Sequence, residues 1–242
     1  SSGLTRAKSA SSFAGGCSFP ELLERVAEVD GLEWIRFTTS HPVNFTRDLA
    51  RVLVTNPKLA PFLHLPVQSG SDAVLRRMRR EYTVADYLER LSYLGEGRGR
   101  IALSTDFIVG FPGEAEADFE ATLALLDQVR FDASFSFLYS PRPGTPALRL
   151  KDDLPLAVKS ERLRILQDRQ TGLTLASNER LVGQTLAVRV ESHGPAEGGH
   201  WLARTGSWKN VHLRAGRPLP FGELVDATIT GAGPHFLTAE PA

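Results

Sequence analysis

One cysteine, Cys17, stands in 242 residues. That excludes an intramolecular disulfide and fits a reducing compartment such as the cytoplasm. It also withholds the set of thiolates from which an iron–sulfur cluster or a cysteine-rich zinc site is built. No apolar run approaches the roughly 20 residues of a membrane helix. The opening SSGLTRAKSASSFAGG holds only Arg6 and Lys8 and no apolar stretch, so it does not read as a secretory signal. Residues 1–18 are expected to be a disordered, ragged edge. Charge of one sign is missing too, since 28 Lys plus Arg balance 28 Asp plus Glu. A globally basic footprint for nucleic acid is absent, and RNA contact has to come from local patches.

What is present is ordinary for a globular chain, with 42% hydrophobic and 23% charged residues. The length allows one large domain and one small one. Apolar, β-rich runs at Trp34–Ser40, Phe62–Gln68, Ile101–Gly110 and Ala133–Ser140 read as strands covered on both faces. Helical patterns lie among them at Phe19–Val29, Thr46–Val54, Asp72–Arg79, Val84–Leu94 and Glu116–Val129. Such alternation predicts right-handed βαβ units and a parallel sheet or barrel. Four units do not close an eight-fold barrel. Either the sheet is open or opening units are missing, and the strandless first helix favours the second. A long helix is expected from Asp153–Pro155, with Asp153 as N-cap, toward Leu181, ended by Gly183. The period then becomes two, at Leu186, Val188 and Val190 and later Val225, Ala227 and Ile229, which predicts a small antiparallel barrel. The expected domains are 19–182 and 183–242.

Four segments carry candidate chemistry. In His64–Asp72 (HLPVQSGSD) a strand runs into Gln-Ser-Gly-Ser and then a helix. Polar side chains thus sit at a strand's carboxyl end, where parallel α/β folds hold ligands. The plainer reading is that Ser71 or Asp72 caps the helix. In Thr105–Glu114 (TDFIVGFPGE) one acid, Asp106, interrupts an apolar strand. It is either satisfied by backbone or an arginine, or it holds the two hydroxyls of a ribose. Arg76–Arg80 (RRMRR) is a solvated basic face, or presents one guanidinium inward to a carboxylate or phosphate. Tyr139–Ala147 (YSPRPGTPA) is a proline-stiffened loop after the last strand, a spacer or part of a site.

Taken together, in this order, these segments and Thr38–Pro42 (TTSHP) resemble the MiaB family of radical S-adenosylmethionine (radical SAM) methylthiotransferases, and the last residues resemble its TRAM domain. The resemblance implies an α/β fold: a partial parallel (β/α) barrel of the radical SAM type, then a small OB-like TRAM barrel that holds RNA. The family uses a 4Fe–4S cluster to cleave S-adenosylmethionine to a radical, and a second cluster to help deliver sulfur. Its product carries a methylthio group at C2 of N6-isopentenyladenosine beside the tRNA anticodon. By position, Gln68 matches a cofactor-contacting glutamine, Arg80 an arginine at the methionine carboxylate, and Asp106 the acid at the ribose. Ile108 and Val109 match the strand that flanks adenine, and Tyr139 the rim; Ser40 and His41 are further candidates for the mouth. No catalytic residue and no metal ligand can be assigned, because the family's C-x-x-x-C-x-x-C loop and its three further cysteines have no counterpart here. The chain is therefore expected to be part of a longer enzyme and inactive by itself.

Arg204, Lys209, His212, Arg214 and Arg217 lie among Trp201, Trp208 and Phe221 and are candidate RNA contacts. The alternative is a solvated mixed surface over a core that contains the tryptophans. Besides the enzyme reading stand an RNA-binding fragment without catalysis, a methylthiotransferase acting on another modified adenosine, and, more weakly, a metal-free barrel enzyme. A cytoplasmic monomer with tRNA as partner and no membrane contact is expected.

Overall fold

A computed structural model describes residues 16–39, 41–152, 154–195 and 199–242. Its first body is a parallel sheet of β1 (Phe62–His64), β2 (Ala102–Val109) and β3 (Ala133–Leu138), in that order. Helices α1 (Phe19–Ala27), α2 (Arg47–Thr55), α3 (Asp72–Arg77), α4 (Val84–Ser92) and α5 (Glu116–Val129) surround it. Local chemistry sets their starts. Ser18 and Thr83 close capping boxes with Glu21 and Asp86, and Thr46 accepts from the Leu49 N–H. Leu63, Leu103, Phe107 and Val109 point to the helices and are buried with Leu53, Leu75, Phe119 and Leu126.

Three strand expectations change. Among the described residues of the Trp34–Ser40 run no strand forms; of them Ile35 alone pairs, bridging Leu59. The Thr39 hydroxyl donates to the His64 carbonyl, so a side chain takes the place of a backbone ladder there. Ser40 lies outside the described residues. The Phe62–Gln68 run breaks at Pro66, which has no N–H to give. Thr105 Oγ1 bridges the gap by accepting from the Val67 N–H at 3.0 Å and donating to the Leu65 carbonyl at 2.9 Å. Finally, β3 is not covered on both faces, because Phe135 and Phe137 are 56% and 54% exposed.

Helix α6 (Leu156–Glu179) packs along β3 and carries a polar buried stripe. Pro155 occupies its N-cap position; the expected cap, Asp153, lies outside the described residues. Each buried polar group on α6 meets a loop. Arg162 reaches Glu114, Gln170 donates to the Phe131 carbonyl at 2.8 Å, and Thr174 donates to the Asp132 carbonyl at 2.9 Å.

The second body is a closed barrel in the order β4 (Thr185–Val190), β5 (Trp201–Thr205), β6 (Asn210–Leu213), β8 (Leu237–Pro241), β7 (Leu224–Ala232). Its core is Val188, Val190, Val211, Leu213, Ala227 and Leu237. The expected all-antiparallel arrangement fails at one pair, since β6 and β8 run parallel. Five strands in a ring cannot alternate direction everywhere, so one pair must be parallel.

The barrel docks at the amino-terminal ends of the sheet strands. Lys209 Nζ bonds Asn178 at 2.8 Å and Asp132 at 3.2 Å, just before β3. Trp208 lies 5.9 Å from Phe62 at the start of β1, with the Arg36 guanidinium 4.0 Å over its ring. Asn178 donates to the Gly233 carbonyl at 2.7 Å.

Candidate active site at the strand carboxyl ends

Five of the six sequence-predicted cofactor residues converge at the opposite end of the sheet. Gln68, Arg80, Asp106, Ile108 and Tyr139 line one cleft of about 720 Å³, with Phe111, Phe137 and Arg79. That size suits a cofactor of nucleotide dimensions. Val109 is the exception. Along β2 alternate side chains point to opposite faces, so when Asp106 and Ile108 face the cleft Val109 enters the core, fully buried. Only its carbonyl serves the rim, accepting from the Tyr139 N–H at 2.9 Å.

Gln68 is held by backbone rather than by its side chain. Its N–H donates to the Asp106 carbonyl at 2.8 Å and its carbonyl accepts from the Ile108 N–H at 2.9 Å, at φ +73°. A left-handed non-glycine residue is strained by about 1–2 kcal/mol. Here both ladder bonds on β2 fix it, which aims the amide at the cleft. After it the loop folds tightly. Gly70 donates to Thr122 Oγ1 at 3.0 Å, and a Cβ there would lie 2.5 Å from the α5 backbone. Ser71 and Asp72 do act as caps: Ser71 Oγ accepts from the Val74 N–H, and Asp72 accepts from the Val84 N–H at 2.8 Å. Ser71 thus caps α3, as the plainer reading expects, while Gln68 lines the cleft.

The basic run divides in the same way. Arg77 is tied to the Gly113 carbonyl at 2.7 Å and lies 3.7 Å from Asp118. The Arg79 and Arg80 side chains line the cleft with no hydrogen bond or ion pair to any described residue, and Arg80 is half-buried. The partner of Asp106 is neither backbone nor arginine. His64 Nε2 lies 3.6 Å from its Oδ1, too long for a hydrogen bond, so the carboxylate keeps its accepting capacity toward the cleft. His64 Nδ1 in turn lies 2.7 Å from Ser104 Oγ. His41 does not line the cleft. It accepts from the Val43 N–H at 3.3 Å and packs edge-on against Tyr82, and burial holds its pKa below the usual value.

Sequence reasoning missed the brace beneath the glycine turn. Glu114, 4% exposed, accepts from the Gly110 N–H at 2.7 Å and from Arg162 at 2.8 Å, and burial pushes its carboxyl upward. Gly110, at φ +71°, meets the Lys159 side chain, whose ammonium binds Asp152 at 2.6 Å and lies 5.8 Å from the Tyr139 ring. The signal was present in Glu114 closing TDFIVGFPGE, but its partner is 48 residues away.

The expected RNA contacts are only partly available. Lys209 is spent on the junction between the two bodies and is corrected to a clamp: its ammonium is held by Asp132, Ser177 and Asn178. Arg204 pairs with Glu191 at 2.8 Å and stacks on Trp208; Arg217 pairs with Glu223. His212 is sandwiched between His200 and Phe236 at 4.1 and 4.6 Å. Arg214 is exposed. Trp201 is core, as one reading expected, while Trp208 is 45% exposed at the junction. A second cleft of about 660 Å³ lies there, bounded by Phe62, Phe135, Trp208 and Phe236.

Among the described residues no three His, Cys, Asp or Glu side chains group to hold a metal, and no helix is long and apolar enough to cross a membrane. A family model described as the radical SAM superfamily matches residues 17–126, and one described as the TRAM domain matches residues 179–242. The tRNA-2-methylthio-N(6)-dimethylallyladenosine synthase of Anaeromyxobacter sp. (strain Fw109-5) is 52% identical over 238 residues, 96% of this chain and 52% of that protein. The enzyme of the same name from Cellvibrio japonicus (strain Ueda107) is 48% identical, covering 90% and 48%. The chain thus spans about half the length of these curated relatives. Coproporphyrinogen III oxidase (HemN) from Escherichia coli, a radical SAM enzyme, is similar at 24% identity and a TM-score of 0.48, over 67% of this chain and 37% of that one.

Proposed function

We propose that the chain belongs to the MiaB-type radical SAM methylthiotransferase family, and that its cleft binds S-adenosylmethionine within an enzyme that adds a methylthio group at C2 of N6-dimethylallyladenosine in tRNA. The observation that carries this reading is the convergence of Gln68, Arg80, Asp106 and Tyr139 on one hollow from four separate segments. Their chemistry matches the parts of an adenosyl nucleotide. Arg80, unpaired, suits a bidentate grip on the amino-acid carboxylate. Asp106, with lone pairs left over, suits the ribose diol. Ile108 and Phe111 offer an apolar wall to the purine, and Gln68 presents a pre-aimed amide. When bound and reductively cleaved, the cofactor supplies the hydrogen-abstracting chemistry. This chain's residues hold and orient it.

A 4Fe–4S cluster does not fit these residues, because Cys17 is the lone thiol. The tRNA partner rests on the TRAM domain and on the relatives. Arg214, exposed, and the aromatic junction around Trp208 and Phe236 are its proposed contacts.

Calorimetric titration of this chain with S-adenosylhomocysteine tests the reading. Binding is expected, weakened at least tenfold by Asp106→Asn and by Arg80→Gln. No binding, or binding indifferent to both changes, removes it.

A further inference from the structure

Strand β3 reads ASFSFL, and its two faces are inverted relative to what its own stability favours. Ser134, Ser136 and Leu138 share the face turned to the helices, where Leu138 packs on the main core. The opposite, open face carries Phe135 and Phe137, each more than half exposed. Stability alone would place the rings under the helix and the hydroxyls in water. In register, Phe135 lies beside Asp106 and Phe137 beside Ile108, the two β2 residues that face the cofactor cleft. Phe137 lines that cleft, while Phe135 lines the junction cleft at the barrel. The two rings therefore form an apolar floor that joins the cofactor cleft to the junction cleft.

Resting on the function proposed above, we infer that Phe135 and Phe137 receive the branched five-carbon alkyl substituent of the target adenosine, and so determine specificity for the alkylated base. The wall is apolar and offers the alkyl group no hydrogen-bonding partner. His64, edge-on to Phe135 at 6.1 Å, supplies a polar group beside it for the purine edge. Covering about two of the five carbons discriminates by about tenfold, the scale typical of apolar subsites.

The test titrates this chain with free N6-dimethylallyladenosine and with adenosine, read by ligand NMR, alongside S-adenosylhomocysteine as an independent probe of the cofactor cleft. Variants are Phe135→Ser, Phe137→Ser and the double change, with Phe137→Leu as an apolar control. The wild type is expected to prefer the alkylated nucleoside about tenfold. The double variant should fall below threefold and the leucine control should keep most of the preference, with Phe135→Ser, outside the cofactor cleft, holding S-adenosylhomocysteine affinity within twofold. A wild type that does not discriminate, or a double variant that still does, overturns the inference. So does a double variant that changes only the oligomeric state, which would make this face a protein contact. Failure of S-adenosylhomocysteine to bind, with nucleoside discrimination intact, would instead sink the cofactor reading alone.

Discussion

Removal of the Glu114 carboxylate probes how the glycine turn at the cleft is held. In Glu114→Ala two partners lose their acceptor: the Gly110 N–H at 2.7 Å and Arg162 Nη1 at 2.8 Å. An unsatisfied buried donor is worth about 1–3 kcal/mol. Stripping one member from a buried ion pair is worth about 3–5 kcal/mol. The Arg162 side chain is only 6% exposed, but it retains Glu116 at 2.7 Å and the Glu114 backbone carbonyl at 3.1 Å. The lower end of the range therefore applies, and because the effects share atoms they do not add. A loss of about 3–4 kcal/mol is expected for Glu114→Ala. Glu114→Gln keeps the volume and an acceptor for Gly110, so about 1–2 kcal/mol is expected. Urea denaturation reads both, with an unchanged m-value confirming a common two-state transition. The alanine variant should also weaken S-adenosylhomocysteine, since Phe111, next to Gly110, lines the cleft. An alanine variant within 1 kcal/mol of wild type, or a glutamine variant as damaged as alanine, would refute the brace.

Gly70→Ala forces a Cβ to within 2.5 Å of the α5 backbone at Ala121 and Thr122, and should cost about 2–3 kcal/mol by thermal or urea unfolding; an unchanged midpoint would contradict the packing. Lys209→Ala should lower stability by about 2 kcal/mol while leaving the salt slope of tRNA affinity unchanged; a slope shallower by about one unit would restore Lys209 to the RNA contacts. The Thr83 N–H and hydroxyl hold Asp86 below the usual carboxylate range. Its stabilisation is therefore present above the unfolded value and lost as pH falls through the lower folded one. Asp86→Asn should be about 0.5 kcal/mol weaker at neutral pH and converge with wild type in acid, and equal gaps at both ends of a pH-resolved urea series would be inconsistent with this.

The sequence by itself determined whatever depends on neighbours within a few residues. The amphipathic patterns of α1, α2 and α4 announced their helices, and the β2 and β3 runs announced their strands, because backbone periods act locally. The motif residues Gln68, Arg80, Asp106, Ile108 and Tyr139 were legible as a set from their order along the chain. Only the tertiary structure decided which way each side chain points. The apolar run at 107–109 gives no clue that Val109 turns to the core while Ile108 turns to the cleft, since both are β-branched. Nor does a lysine in a basic stretch reveal that Asp132 waits 77 positions away. Two phenylalanines in a strand read as core until the helices prove to lie on the serine side. Facing is fixed by what packs across the element, and packing joins residues that sequence distance keeps apart.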